Sequence, residues 1–209
     1  MKILNLYAGI GDNRRLWGNE DEITAVELDP KIAGIYQDFF PNDKVVIKDA
    51  HRYLLFYLKD FDFVWSSPPC QSHSSFRHNI CVRFHGTRAV YPDMSLYQEI
   101  LCLKYYCKTK WIVENVKPYY KPLIEPDYIL QRHYFWCNFK ITQKDFKTDL
   151  IRKSQIPQLQ EKHGFDLSSY QIKNKRQILR NCVLPELGLH IFNEMKKDSI
   201  DLFNSNSLK

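Results

Sequence analysis

The chain has 209 residues, of which 44% are hydrophobic and 14% aromatic, and its formal net charge is +6. This composition supports one well-cored globular domain and excludes a disordered chain. No apolar run approaches the roughly 18 residues of a membrane-spanning helix, and the N-terminus reaches glycine too soon for a signal-peptide core. The six cysteines show neither zinc-type pairing nor the density of a disulfide scaffold. We therefore expect no metal site, no membrane contact and a reducing, cytoplasmic location.

Short apolar runs alternate with helix-like stretches over the first two-thirds of the sequence. Strands are predicted at residues 3–7, 23–26, 45–47, 61–65 and 110–113. Helices are predicted at residues 30–40, 51–58 and 92–107, where apolar residues recur at helical spacing. Strands that alternate with helices indicate an α/β fold with a doubly wound, mostly parallel sheet. After residue 141 the alternation fades, and residues 183–195 predict one more helix.

Positive charge is concentrated in two stretches of the sequence. Residues 141–180 hold nine Lys or Arg against four Asp or Glu, and residues 76–90 hold Arg77, Arg83 and Arg88 with no acid. Either stretch alone is compatible with a solvated basic face. Because the two stretches flank one candidate site, they favour a polyanionic partner.

The predicted strands end in residues that suit a cofactor site. In an open parallel sheet, ligands bind beyond the carboxyl ends of the strands. Gly9 and Gly11 follow the first strand and allow close approach of the backbone to a ligand. Glu27, 16 residues after Gly11, stands where an acid accepts hydrogen bonds from ribose hydroxyls, which suits a dinucleotide or S-adenosylmethionine. Asp49 ends the third strand and either accepts from an adenine amino group or caps the following helix.

The next two strand ends carry a thiol and an acid. Cys70 follows Ser-Ser-Pro-Pro, where two prolines stiffen the chain, and Glu114 ends the strand after it. Alone, Cys70 is compatible with a buried structural cysteine and Glu114 with a surface acid. Together at one sheet edge, a nucleophilic sulfur and a nearby carboxylic acid form a working pair for attack on a conjugated ring.

Several motifs, in family order along nearly the whole chain, resemble those of the cytosine-C5 methyltransferases. Residues 5–11 resemble the first motif, and Pro69, Cys70 and Gln71, with Ser74 after them, resemble the nucleophile motif. Residues 114–116 match the family's "ENV" motif, residues 131–135 stand at its "QxRxR" motif, and residues 180–185 resemble its late "GNSVxP" element. The resemblance implies a Rossmann-like class I methyltransferase fold with a small target-recognition insertion.

The resemblance also implies a mechanism and its catalytic residues. Cys70 is expected to add to C6 of cytosine while Glu114 donates a proton to N3, so that C5 takes the methyl group of S-adenosylmethionine. The target base must leave the helix stack to reach this pocket. Arg132 and His133 are both candidates for the arginine of the family motif. Neighbouring residues on a strand face opposite ways, so we expect only one of the two to reach the base, and Arg132 is preferred.

The implied binding residues and domains follow from the same alignment. Cofactor binding is predicted at Tyr7, Ala8, Gly9, Gly11, Glu27, Leu28, Asp49, Ala50, Pro69, Leu96, Asn181 and Val183. DNA binding is predicted at Gln71, Ser74, Arg77, Arg83, Arg88, Lys173, Lys175 and Arg176. The predicted domains are a catalytic core at 1–140, a short target-recognition region at 141–178, and residues 179–209 returning to the core.

The leading hypothesis is a compact phage or bacterial enzyme that acts on double-stranded DNA as a monomer, with a cognate restriction endonuclease as an optional partner. One alternative is the tRNA-methylating branch of the same family. Another is a catalytically silent nucleic-acid-binding relative, which the intact Cys70 and Glu114 disfavour. Departures from the family pattern include Asp12 for the second glycine of "GxGG", Arg180 for the late glycine and Cys182 for the late serine.

Overall fold

The structure is a computed structural model that describes residues 1–146 and 155–206. Residues 147–154, within the predicted target-recognition region, and residues 207–209, at the end of the last predicted region, lie outside the described residues. Of α6, side chains are described as far as residue 197.

The centre of the protein is a sheet of seven strands in the order β3-β2-β1-β4-β5-β7-β6. Strands β1 to β5 are mutually parallel, whereas β7 runs antiparallel to both β5 and β6. The order reverses at β1, so the ends of β1 and β4 form the crevice in which such sheets bind ligands. The strands are Lys2–Leu6 (β1), Glu22–Glu27 (β2), Lys44–Ile47 (β3), Phe63–Ser66 (β4), Lys110–Val116 (β5), Tyr128–Leu130 (β6) and His133–Cys137 (β7).

Helices cover both faces of the sheet, which confirms the predicted doubly wound α/β fold. They are Pro30–Phe39 (α1), Ala50–Tyr57 (α2), Ser95–Tyr106 (α3), Ile156–His163 (α4), Lys175–Asn181 (α5) and Pro185–Asn206 (α6). Helix α1 begins where predicted because Asp29 accepts a hydrogen bond from the Lys31 N–H and Pro30 occupies the first turn. Within the described part of the chain, the helices are too short or too polar to cross a membrane.

Side chains alternate between the two faces along each strand and build two core layers. On one face, Leu4 and Leu6 of β1 pack with Leu54 of α2 and Ile100 of α3. On the other face, residues of β1, β4 and β5 pack against α6, which buries Leu187, Ile191, Phe192 and Met195. The helix predicted at 183–195 is therefore present and closes the second face of the sheet.

The described part of the predicted target-recognition region packs into the core. Leu159, Phe165 and Leu167 are fully buried in one cluster with Ala25 of β2 and Tyr36 of α1. The apolar side chains of residues 155–178 therefore cover β2 and α1, which leaves mainly the polar ones for a ligand. The bounds of the three domains stay a prediction.

Candidate active site

The chain turns sharply after β1, and two glycines make that turn possible. Gly9 has φ +55° and Gly11 has φ +86°, both in the left-handed region. A Cβ on Gly11 would lie 2.3 Å from Cε2 of Phe40 and 2.9 Å from Cε2 of Tyr36. Gly11 thus lets α1 approach the turn, while Gly9 faces the ligand cavity.

Glu27 ties the end of β2 to the glycine turn. Its Oε2 accepts a hydrogen bond from the Gly9 N–H at 3.0 Å. Its Oε1 accepts from the N–H groups of Leu28 and Asp29 at 2.8 and 2.9 Å. A carboxylate has about four acceptor positions, so Glu27 keeps capacity for a ligand hydroxyl on the cavity side.

Tyr7 is held by a buried acid that the sequence motifs do not single out. The Tyr7 hydroxyl donates to Oε2 of Glu99 at 2.9 Å, and Nδ1 of His51 lies 3.2 Å from the same oxygen. The Ser66 hydroxyl bonds the other oxygen of Glu99. Burial and the nearby Glu99 carboxylate raise the pKa of Tyr7 above its usual value. The signal for Glu99 is an acid on the buried stripe of α3, between Leu96, Ile100 and Leu103.

The loop after β4 is fastened to the end of β5. The Asn115 side chain donates to the Pro68 carbonyl at 3.0 Å. The Cys70 carbonyl accepts from the N–H groups of His73 and Ser74, at 3.1 and 3.0 Å. These bonds and the two prolines hold the Cys70 thiol at the carboxyl edge of the sheet.

Glu114 and His133 form a buried pair on adjacent strands. Nδ1 of His133 lies 2.5 Å from Oε1 of Glu114, and both side chains are almost inaccessible to solvent. Arg132 is exposed and donates to the carbonyl oxygens of Arg180 and Cys182, at 2.7 and 3.4 Å. The described contacts thus pair Glu114 with His133, whereas the preference for Arg132 as the group that reaches the base stays a prediction.

The thiol and the acid influence one another. Burial and, to a smaller extent, the negative charge of Glu114 raise the pKa of Cys70 to about 11, and the charge of Arg132 opposes this shift. In this structure the thiol is therefore protonated at neutral pH. Protonation of Glu114 would remove one of the two causes that keep it so.

One cavity of about 1030 Å³ joins the strand ends. It brings together Cys70, Glu114 and ten of the twelve predicted cofactor residues, namely Tyr7, Ala8, Gly9, Glu27, Leu28, Asp49, Ala50, Pro69, Asn181 and Val183. Gly11 instead packs behind the turn, and Leu96 is buried in the core with α2. Asp49 lines the cavity and also caps α2 through the Arg52 N–H at 2.8 Å, so both of its predicted roles are compatible with its position.

A second, basic crevice of about 650 Å³ adjoins this cavity, and Gln71 lines both. Ser74, Arg77 and Arg88 line the crevice, and the ring of His78 stacks on Tyr119 at a centroid distance of 4.1 Å. Arg83 is exposed on the same loop. Of the other predicted DNA-binding residues, Lys173 is exposed, while Lys175 and Arg176 are partly buried in the first turn of α5.

The residues of the larger cavity fit a nucleoside cofactor with an attached amino acid. The backbone of the Gly9 turn lines the cavity and allows a ligand to approach closely. Glu27 provides an acceptor for ribose hydroxyls, and Asp49, at the end of the next strand, provides one for an adenine amino group. The volume exceeds that of an ordinary small-ligand pocket, which leaves room for a second, reacting molecule next to Cys70. Among residues 1–146 and 155–206, the acids, cysteines and histidines form no group that could hold a metal ion.

The sequence matches the family of C-5 cytosine-specific DNA methylases over residues 1–122, which is more than half of the chain. The chain belongs to this family. C-5 cytosine methylases use S-adenosylmethionine as methyl donor, and the lining of the larger cavity suits a cofactor of this kind. A comparison with curated proteins gave no match.

Solved structures similar to this protein include a methyltransferase of Entamoeba histolytica, EhMeth, with a TM-score of 0.56. That match is 11% identical and covers 95% of this chain and 98% of the other, so it shows a common fold. A DNMT2 variant of Spodoptera frugiperda is 24% identical over 56% of this chain and 35% of its own, with a TM-score of 0.38. A SAM-dependent methyltransferase of Agrobacterium tumefaciens is 12% identical over 56% and 39%, with a TM-score of 0.37. This chain thus spans little more than a third of the length of the Spodoptera frugiperda and Agrobacterium tumefaciens proteins.

Proposed function

We propose that the protein transfers a methyl group from S-adenosylmethionine to C5 of cytosine in duplex DNA. Cys70 is the nucleophile and Glu114 the proton donor. The observation that carries this proposal is the single cavity that Cys70 and Glu114 share with Gly9 and Glu27. Membership in the C-5 cytosine methylase family supports the choice of base and atom.

In the proposed reaction the Cys70 thiol loses its proton to water, and the thiolate sulfur forms a bond to C6 of the target cytosine as the C5–C6 double bond opens. Glu114 gives its proton to N3, and the ring electrons make C5 a nucleophile. S-adenosylmethionine supplies the methyl group that C5 takes. The C5 proton is then lost to water, the C6–S bond breaks with its electrons leaving on the Cys70 thiolate, and N3 returns its proton to Glu114, which restores the aromatic ring.

The raised pKa of Cys70 fits this proton order. Burial is the main cause of the raised pKa of Cys70, and the negative charge of Glu114 adds to it, so a Glu114 that carries the proton for N3 makes the thiolate less costly. One proton on Glu114 therefore serves the protonation of N3 and also favours the formation of the Cys70 thiolate. We infer that Cys70 is activated only in the state in which Glu114 is ready to protonate the ring.

His133 supports Glu114 as a positioning residue. Its ring lies in hydrogen-bond contact with Oε1 and fixes the orientation of the carboxyl group. The other carboxyl oxygen is then the one left for the base. Arg132, whose charge lowers the pKa of both Cys70 and Asp12, remains in reach of the site.

The basic crevice is proposed to hold the nucleic acid. Arg77, Arg88 and the exposed Arg83 offer positive charge beside the mouth of the Cys70 cavity, where a flipped base would enter. Contacts of Lys and Arg to phosphates supply affinity and register without sequence information. Because the predicted target-recognition region is short and its apolar side chains pack into the core, we propose a short recognition site. Action as a monomer, a restriction partner and a cytoplasmic location remain proposals.

The covalent step is tested with duplex DNA that contains 5-fluorocytosine. Fluorine cannot leave as the proton does, so wild-type protein with S-adenosylmethionine should form an adduct that survives denaturation. Cys70→Ser should form none, and Cys102→Ser, at a half-buried cysteine of α3 outside the cavity, should form as much as wild type. An adduct that persists in Cys70→Ser, or its absence in active wild-type protein, would contradict the proposal.

A further inference from the structure

Asp12 stands at the second glycine of the family's first motif, and its carboxylate lines the inner wall of the cavity. Oδ2 accepts a hydrogen bond from the Val183 N–H at 2.5 Å. Oδ1 lies 3.8 Å from the point that a Cβ on Gly9 would occupy. The half-buried side chain therefore reaches from the late motif to the glycine turn, and the residue is among those that line the cavity.

The protein does not neutralise Asp12. Burial raises the pKa of Asp12 to about 7, and the Glu114 carboxylate acts in the same direction. The Val183 N–H and the charge of Arg132 oppose the shift, but Arg132 is exposed and bonded to the carbonyls of Arg180 and Cys182. An acid that is this poorly compensated, on the wall of a ligand cavity, is suited to a cationic ligand.

We propose that Asp12 is the counter-ion of the methyl donor and faces its sulfonium centre. The inference rests on the proposed function, since it requires S-adenosylmethionine in the cavity. The reaction demands that the sulfonium lie between the nucleoside end at Glu27 and the nucleophile end at Cys70, and Asp12 lines the same cavity as both. The sulfur becomes neutral when the methyl group leaves, so Asp12 favours the fresh donor over the spent cofactor.

Calorimetry of Asp12→Asn with S-adenosylmethionine and with S-adenosylhomocysteine tests this role. The amide removes the charge and keeps an acceptor for the Val183 N–H. Affinity for the sulfonium donor should fall about 10- to 100-fold, while affinity for the neutral thioether should change little. Glu27→Ala is the matched comparison, because loss of a ribose acceptor should weaken both ligands equally.

The wild-type protein provides a second measurement that no folding defect can disturb. Because a cation binds the charged form of Asp12, affinity for S-adenosylmethionine should fall about tenfold per pH unit below pH 7. The range from pH 5.5 to 6.5 lies well below the pKa of the ligand's own amino group, which is about 7.7 to 8.0. The charged and titratable groups that act on Asp12 or face it are Glu114, Arg132 and the Cys182 thiol, and the pKa of nearby His163 is lowered to about 4. The series is repeated in Glu114→Gln to remove the contribution of that acid.

Each outcome decides the role of Asp12. A selective loss for the sulfonium ligand, with a pH dependence that disappears in Asp12→Asn, supports the proposal. Equal losses of affinity for both ligands would indicate that Asp12 contacts the amino group that both ligands carry, and would overturn the sulfonium assignment. Unchanged affinities at all pH values would leave Asp12 only as a cap for Val183. Failure of the wild-type protein to bind S-adenosylmethionine at all would instead contradict the proposed function.

Discussion

At the scale of single residues, Glu114 connects the parts of the site. Its carboxylate bonds His133 on the neighbouring strand, and its charge raises the pKa of both Cys70 and Asp12. These effects arise because β5 and β7 bury the carboxylate at the mouth of a shared cavity, where water screens charge poorly. The charge of this one group therefore adds to the effect of burial on both Cys70 and Asp12.

Glu114→Gln should separate two properties that a merely structural residue would change together. Methyl transfer should fall by about 100-fold or more, since an amide cannot give a proton to N3. The Cys70 thiol should become more reactive, because the carboxylate that raises its pKa is gone. The rate of Cys70 alkylation against pH, measured beside methyl transfer, checks both expectations. Near-normal turnover, or an unchanged thiol pKa, would contradict this account.

The sequence predicts part of this chemistry and misses part of it. Cys70, Glu114 and Glu27 are predictable because each follows an apolar strand, and parallel strands bring their ends to one edge. The bond from the Val183 N–H to Asp12 spans 171 residues and has no local pattern. Glu99 carries a local signal, an acid in an apolar helix stripe, but its partners Tyr7, His51 and Ser66 come from three other segments.

At the scale of elements, the five parallel strands and the helices between them follow from hydrophobic periodicity. The antiparallel insertion of β7 between β5 and β6 does not, because it depends on which edge of the sheet accepts the returning chain. Because β7 pairs with β5 in this way, His133 lies within hydrogen-bond distance of Glu114. Alternation along β7 predicts that Arg132 and His133 face opposite ways, but only the pairing shows which of them faces Glu114.

The loop before α5 supplies a test of the proposed phosphate contacts. Lys173 is exposed, so Lys173→Glu should not unfold the protein. It should weaken DNA binding and lower the slope of log affinity against log salt by about one, without altering which cytosines are methylated. Lys108→Glu, exposed just before β5 at the opposite edge of the sheet, is the control and should bind normally. A changed methylation pattern in Lys173→Glu would assign this residue to base recognition instead.

At the scale of the whole molecule, the sheet edge typical of the family is present, and the described residues after β7 add little beyond the core. The described residues after β7 mainly close the core: α6 covers one face of the sheet, and residues 159–167 cover α1. The described residues of 155–178 therefore give their apolar side chains to the core and leave most of their polar side chains at the surface. This arrangement favours a substrate that is recognised largely through contacts to its phosphates and to one flipped cytosine.

The most direct test of the account is methyl transfer from labelled S-adenosylmethionine to duplex DNA, single-stranded DNA and tRNA in parallel, with the product base identified by mass spectrometry. The account predicts 5-methylcytosine in duplex DNA, with Cys70→Ser inactive on every substrate. Methylation confined to tRNA would contradict the proposed substrate and favour the tRNA-methylating branch. Donor binding without methyl transfer to any of the three nucleic acids would contradict the proposed reaction itself.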